Sequence, residues 1–171
     1  MTASVPAPRS PGRYVVSVVC LGNICRSPMA DVVLQARVAD AGLDDRVEVL
    51  SAGTGDWHAG DRMDRRAAAL LTSEGYDASR HRAQQVLPDW LDQHDLVLAM
   101  DQENLRDLRA LGALAGAGPQ RLRLFRDFDP AGPGDVPDPY YGGDAGFRGV
   151  LDMVERTADA LVAQLAAVVP D

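Results

Sequence analysis

Lysine is missing from this 171-residue sequence, and all 17 basic side chains are arginine. Beside abundant Ala, Gly and Asp, that reads as the codon bias of a GC-rich genome, with no functional weight. Cysteine is nearly missing too: only Cys20 and Cys25 occur, both in one short segment. Bridging them would close almost no loop, which excludes a structural disulfide framework. Two cysteines and three scattered histidines also exclude a four-ligand zinc site of the usual spacing. No apolar run approaches the roughly 18 residues that a membrane span needs. Arg9 and Arg13 precede the apolar stretch Tyr14–Cys20, but it is short and leads into Gly22-Asn23 instead of a small-residue cleavage site. A cytoplasmic location is therefore expected, with signal-independent export left open. Excess positive charge is missing as well. A net charge of −8 argues against nucleic acid or an anionic membrane as partner. A small anionic substrate is still allowed, because a local cluster of amides and one arginine can override the global field.

What is present fits one domain, residues 13–171, with an ordinary 46% hydrophobic share. Residues 1–12, interrupted by Pro6, Pro8 and Pro11, read as a disordered tail. Tyr14–Cys20 is a short β-branched run, the pattern of a strand buried on both faces. Ser27-Pro28 predicts a helix to about Ala41, with Ser27 as its cap and Pro28 in its first turn. Further strands are predicted at Val47–Ser51, Asp95–Met100 and Arg121–Leu124. Helices are predicted at Asp61–Ser73, at Ala83–Leu91, after Asp101, and after Asp144. The last carries Phe147, Val150, Leu151, Val154, Ala158, Leu161 and Leu165 on one face. Strands alternating with helices give an α/β fold, a parallel twisted sheet flanked by helices on both faces. Ligands of such sheets bind beyond the carboxyl ends of the strands.

Residues 20–27 sit at such an end and read Cys-Leu-Gly-Asn-Ile-Cys-Arg-Ser. The spacing Cys-x5-Arg arises by chance at a given cysteine roughly one time in ten in so arginine-rich a chain. Its placement between a buried strand and a helix is what informs. A tight loop there aims backbone N–H groups and the positive helix end at one point. Gly22 and Asn23 tolerate left-handed backbone, and Arg26 offers a planar fork for two phosphate oxygens. The same surroundings favour a thiolate at Cys20. Ser27 is placed to donate to that sulfur. A cysteine phosphatase also needs a proton donor for the leaving oxygen. Val136-Pro-Asp138-Pro-Tyr140-Tyr141-Gly142 offers Asp138, stiffened by flanking prolines, with two aromatic rings beside it for a phenol. Asp127, Asp129 and Asp135 read as ordinary loop carboxylates, and Asp144 as a helix cap.

Five separated segments in order then resemble one family. They are Cys20-Leu-Gly-Asn-Ile-Cys-Arg-Ser-Pro-Met-Ala, Ser51-Ala-Gly-Thr, Asp56-Trp-His-Ala-Gly60, Leu98-Ala-Met-Asp101 and Asp138-Pro-Tyr-Tyr-Gly-Gly143. Together they resemble the low-molecular-weight protein tyrosine phosphatases. Larger Cys-x5-Arg phosphatases usually carry His before the cysteine and place their acid upstream, whereas here Val19 precedes Cys20. The resemblance implies a four-stranded parallel sheet with the phosphate loop after the first strand, and no metal or cofactor. It implies Cys20 as nucleophile, Arg26 as phosphate clamp and Asp138 as general acid and then base. Leu21, Gly22, Asn23, Ile24, Cys25 and Ser27 would cradle the phosphate. Asn23 would hold the loop in shape with help from Ser51 and His81. Trp57, Tyr140 and Tyr141 would wall the substrate ring. Cys25 matches the second loop cysteine of the family, which implies a protective disulfide with Cys20 under oxidation. Expected partners are phosphotyrosine-containing proteins, with inorganic phosphate as product and a monomer as the working unit.

Three other readings stay open. A thioredoxin-coupled arsenate reductase needs further cysteines, and none follows Cys25. Arginine phosphatases of the family typically carry Thr where Ile24 stands. A phosphate-binding redox sensor without turnover would not need Cys20, Arg26 and Asp138 together.

Overall fold

The structure, a computed structural model, describes residues 3–112 and 120–170. Four parallel strands form one sheet: β1 (Tyr14–Cys20), β2 (Val47–Gly53), β3 (Leu96–Ala99) and β4 (Leu122–Leu124), in the order β2-β1-β3-β4. Every residue of β1 is buried, as its unbroken apolar run predicts for a central strand. Alternate side chains of β1 serve two cores. Tyr14, Val16, Val18 and Cys20 face helices α1 (Arg26–Asp40), α2 (Arg65–Ser73) and α5 (Asp144–Val168). Val19 faces the opposite core with Trp90 and Leu91 of α3 (Asp89–Gln93) and Leu105 and Leu108 of α4 (Gln102–Leu111). The expected α/β layering is thus present, with helices on both faces. Among the described residues, no helix is long and apolar enough to cross a membrane.

Topology selects the site. From β1 the chain moves to β2 on one side and then returns to β3 on the other. The connections leaving β1 and β3 therefore diverge, opening a crevice at their carboxyl ends. Cys20 ends β1 there, and Asp101 follows β3 there.

Four of the helix expectations change. The first helix starts at Arg26, one residue before the predicted cap, because the Ser27 hydroxyl is used by Asn23 and Cys20. Helix α2 starts at Arg65 and not Asp61, since Asp64 accepts from the N–H groups of Arg66 and Ala67 at 2.8 and 3.4 Å. Residues 83–87 are extended where a helix was predicted. Gly53 exchanges backbone hydrogen bonds with Gln84 and Val86, each 2.8 Å, and Pro88 disfavours helix at Leu87, leaving only the short α3. Gly143 occupies the cap of α5, with Asp144 in its first turn, where its charge suits the positive helix end.

Residues 3–12, within the segment expected as a disordered tail, run as a strap across the amino ends of the strands; Met1 and Thr2 fall outside the described residues. The buried Asp95 carboxylate accepts from Arg9 N at 2.6 Å and Val15 N at 2.7 Å. Tyr14 Oη donates to Pro6 O, and Arg121 donates to Ala7 O. Gln164 of α5 clamps the strap further out, pairing with Val5 N and Ala3 O at 2.8 Å each. Prolines deny this segment regular structure, and side chains of the domain satisfy its backbone instead.

Candidate active site

The loop leaving β1 is held from behind. Asn23 adopts a left-handed backbone, φ 57°, as its residue type permits. Its side chain donates to Ser27 Oγ at 2.8 Å and Ser51 Oγ at 3.1 Å, and accepts from Gln84 N at 3.0 Å. His81 Nε2 donates to the Asn23 carbonyl at 2.7 Å. Burial lowers the pKa of this histidine, which suits a neutral ring in that role. Ser51 and His81 therefore stand where the sequence expected supports. Asn23 and Ser27 are fully buried, so their side chains brace the loop from beneath it. The backbone N–H of Asn23 is the part that faces the reacting atom, donating to Cys20 Sγ at 3.3 Å. Ser27 Oγ lies 3.0 Å from the same sulfur.

Gly53 lets the loop settle this deeply. A Cβ there would lie 2.6 Å from Leu21 O, closer than real contacts allow. The next two residues instead donate to the carbonyls of Cys20 and Leu21, at 2.9 and 3.0 Å.

Arg26 is buried at the start of α1, and two neighbours aim it. Its Nη1 donates to Asp101 Oδ2 at 2.5 Å and Val136 O at 3.1 Å. Burial opposes its charge, but Cys20, Asp101 and Asp138 outweigh that cost and hold it cationic. Asp101 does double duty, since its Oδ1 caps α4 through Asn104 N at 2.8 Å. The sequence predicts the helix after Asp101 but not the clamp, because nothing local to Asp101 points to Arg26.

Asp138 arrives from the far end of the chain. Its Oδ2 lies 3.6 Å from Arg26 Nη2, and its Oδ1 accepts from Tyr140 N at 3.0 Å. The stem of this loop is anchored by Asp129, whose fully buried carboxylate takes Arg156 at 2.6 Å and Arg126 at 2.9 Å. Those partners, Arg156 first, hold its carboxyl well below the usual range. Asp129 is thus a structural anchor, where the sequence suggested a solvated carboxylate. Cys20, Arg26 and Asp138 open into one cavity of ≈ 350 Å³, together with Leu21, Gly22 and Ile24. Trp57, Tyr140 and Tyr141 form its walls, and Tyr140 and Tyr141 meet edge to face at 5.0 Å. Trp57 is 69% exposed, so it serves this mouth and not the core. His58 also lines the cavity, unforeseen from sequence, its Nδ1 beside Asp61 Oδ2 at 3.2 Å. Cys25 borders the cavity as a free thiol, and burial pushes its pKa up, so it does not compete as a thiolate nucleophile. Among the described residues no cluster of His, Cys, Asp and Glu is able to hold a metal ion.

A buried thiol beneath an anion-binding loop, with a cationic fork and a carboxyl acid converging on it, is the equipment for phosphoryl transfer to sulfur. The family model for low molecular weight phosphotyrosine protein phosphatase matches residues 15–170. The chain belongs to that family. It is 50% identical to a low molecular weight protein-tyrosine-phosphatase of Streptomyces coelicolor over 153 residues, 88% of this chain and 92% of the relative. It is 44% identical to low molecular weight protein-tyrosine phosphatase A of Mycobacterium tuberculosis, covering 85% of this chain and 88% of that one. The crystal structure of YfkJ from Bacillus subtilis superposes with a TM-score of 0.84 at 32% identity, covering 93% of this chain and 98% of that one. The low-molecular-weight phosphatase fold thus extends across nearly the whole described chain.

Proposed function

We propose that this chain is a protein tyrosine phosphatase that hydrolyses phosphotyrosine and other aryl phosphate monoesters through a phosphocysteine intermediate on Cys20. The observation that carries the reading is the convergence of Cys20, Arg26 and Asp138 on one aromatic-walled cavity. The loop amides and Arg26 hold the phosphate oxygens, and the Cys20 thiolate attacks phosphorus. As the phosphorus–oxygen bond to the ring breaks, Asp138 passes its proton to the leaving phenolate oxygen. Asp138, now a carboxylate, takes a proton from the water that attacks the phosphocysteine. The sulfur departs as a thiolate, steadied by the Ser27 hydroxyl 3.0 Å away, and inorganic phosphate leaves.

Ring recognition rests on Trp57, Tyr140 and Tyr141, which suit a flat phenyl group. Ile24 in the same wall offers no polar partner to a guanidinium, which disfavours phosphoarginine. Substrates are accordingly phosphoproteins. All the groups the mechanism uses come from one chain, which supports action as a monomer. Cys25 borders the same cavity as Cys20, which supports a protective disulfide between them under oxidation.

The decisive experiment offers the wild-type protein p-nitrophenyl phosphate, a phosphotyrosine peptide and a phosphoarginine substrate, with a chelator present. Turnover of the first two without the third is expected. Preference for phosphoarginine, or no turnover at all, would overturn the assignment.

A further inference from the structure

Next to the catalytic cavity runs a larger groove of ≈ 1260 Å³, sharing Ile24 and Tyr140 with it. Arg66, in the first turn of α2, lines that groove. No motif in the sequence marks Arg66, and the reaction described above gives it no task. Yet its guanidinium is engaged through every nitrogen. Nε and Nη2 reach the Asp64 carboxylate at 3.3 and 3.2 Å. Nη2 also donates to Tyr140 O at 2.8 Å, and Nη1 donates to Gly142 O at 3.1 Å. The Tyr140 ring lies 5.7 Å from the guanidinium carbon, and the Phe147 ring of α5 lies 4.6 Å from it. Asp64 ties this assembly to the phosphate loop, because its own N–H donates to Ile24 O at 2.8 Å.

The segment around Asp138 has few other ties. Upstream, Val136 is fixed, its N–H donating to Met100 O at 2.7 Å and its carbonyl accepting from Arg26. Downstream, α5 begins at Asp144. Between them, the hydrogen bonds at Tyr140 N and Gly142 N stay within the segment. Among the described residues, Arg66 is the only outside group that hydrogen-bonds residues 137–142. The contact from Arg26 to Asp138, at 3.6 Å, is an ion-pair approach beyond hydrogen-bond length.

We infer that Arg66 is the positioning residue of the acid loop, holding Asp138 in register with Cys20 through the line Ile24–Asp64–Arg66–Tyr140. The inference rests on the reading of Asp138 as general acid. Proton transfer requires the donor within about 3 Å of the leaving oxygen, so an untethered loop tip spends its acid on wrong geometries. A planar fork suits the task, because it grips two carbonyls in a fixed relation that a single ammonium does not reproduce.

The test is kcat/KM for wild type, Arg66→Ala and Arg66→Lys across aryl phosphates running from p-nitrophenyl to phenyl. A poor leaving group needs the proton most, so Arg66→Ala should lose about ten-fold more on phenyl phosphate than on p-nitrophenyl phosphate. Arg66→Lys should fall between it and wild type. In an Asp138→Asn background, Arg66→Ala should show no such leaving-group-dependent excess. A loss of equal size across the whole series, with or without Asp138, would show that Arg66 only supports the fold. That outcome would overturn the inference and leave the phosphatase reading standing. Absence of turnover in wild type would remove both. Should Arg66→Ala fail to fold, Arg66→Lys decides alone, since a wild-type slope in that folded variant also overturns the proposal.

Discussion

Two loops meet at the carboxyl end of the sheet, and they are built on opposite plans. The phosphate loop, residues 20–27, is sunk into the fold and braced from beneath by Asn23, Ser27, Ser51, Gln84 and His81. The acid loop past Val136 is exposed, with Asp138 40% open to solvent by side chain and Tyr141 92% exposed. One loop is fixed before any substrate arrives; the other is fastened at a firm stem and by a single arginine near its tip. The difference follows from their tasks. An anion nest works only if its amides already converge, because reorganising them during reaction costs the stabilisation they offer. In the mechanism proposed above, Asp138 delivers a proton to one oxygen and then serves a water, and the ring enters past it.

Perturbing each loop in turn should separate these roles. The largest effect is expected at Cys20→Ser, which should lower turnover of aryl phosphates by roughly 10⁴-fold or more while inorganic phosphate still binds. Titration of phosphate alongside the rate assay checks both halves. Next comes Asp138→Asn, expected to lower kcat/KM on phosphotyrosine by about 10²- to 10³-fold with competitive inhibition by phosphate unchanged. Weaker phosphate inhibition in that variant would mean that the two loops are not separable. Asn23→Ala attacks the brace itself. It strands buried partners and puts a Cβ-bearing residue at positive φ without its side-chain bonds, so urea unfolding should show a loss of about 2–3 kcal/mol. Asn23→Gly, which relieves the backbone, should recover part of that loss.

The smallest effect concerns Asp31, beneath the Ser51 end of the brace. Burial pushes its carboxyl up to about 6, against hydrogen bonds that work the other way, one of them from Gln35 at 2.6 Å. An ordinary aspartate in the unfolded chain titrates near 4, so the folded protein binds this proton more tightly. The contribution to stability is therefore full below about pH 4 and is lost as pH rises through about 6. Relative to Asp31→Asn, wild type should gain about 1 kcal/mol between pH 7 and pH 5, allowing for partial exposure. A flat difference in urea midpoints would show that the brace tolerates this charge freely.

How much of this could be read from sequence depended on how local each feature is. Strand β1 and the loop after it were legible, because an apolar β-branched run ending in Cys, Gly and Asn carries its own explanation. Asp138, the proposed acid, stands out in the sequence through the two prolines and two tyrosines around it. What escaped were features settled by distant partners. Ser27 reads as a helix cap by type, yet its hydroxyl serves a sulfur seven residues back. Residues 83–87 have helical composition but are drawn straight by Gly53, some thirty positions earlier. The strap at residues 3–12 is proline-broken, and the groups that hold it, the buried Asp95 with Arg121 and Gln164, lie more than eighty positions away in sequence. Arg66 and the second role of Asp101 leave no local trace at all.

Gly53 touches no substrate and transfers no proton, yet there is no room at that position for even a methyl group. A survey that ranked positions by lost activity would therefore pick it out and invite a search for a chemical role it does not have. Intolerance to change at this site has two sources, reactivity and crowding, and only the second can be relieved by a compensating change elsewhere. Any relative that carries a side chain at the corresponding place must have moved its phosphate loop to make room.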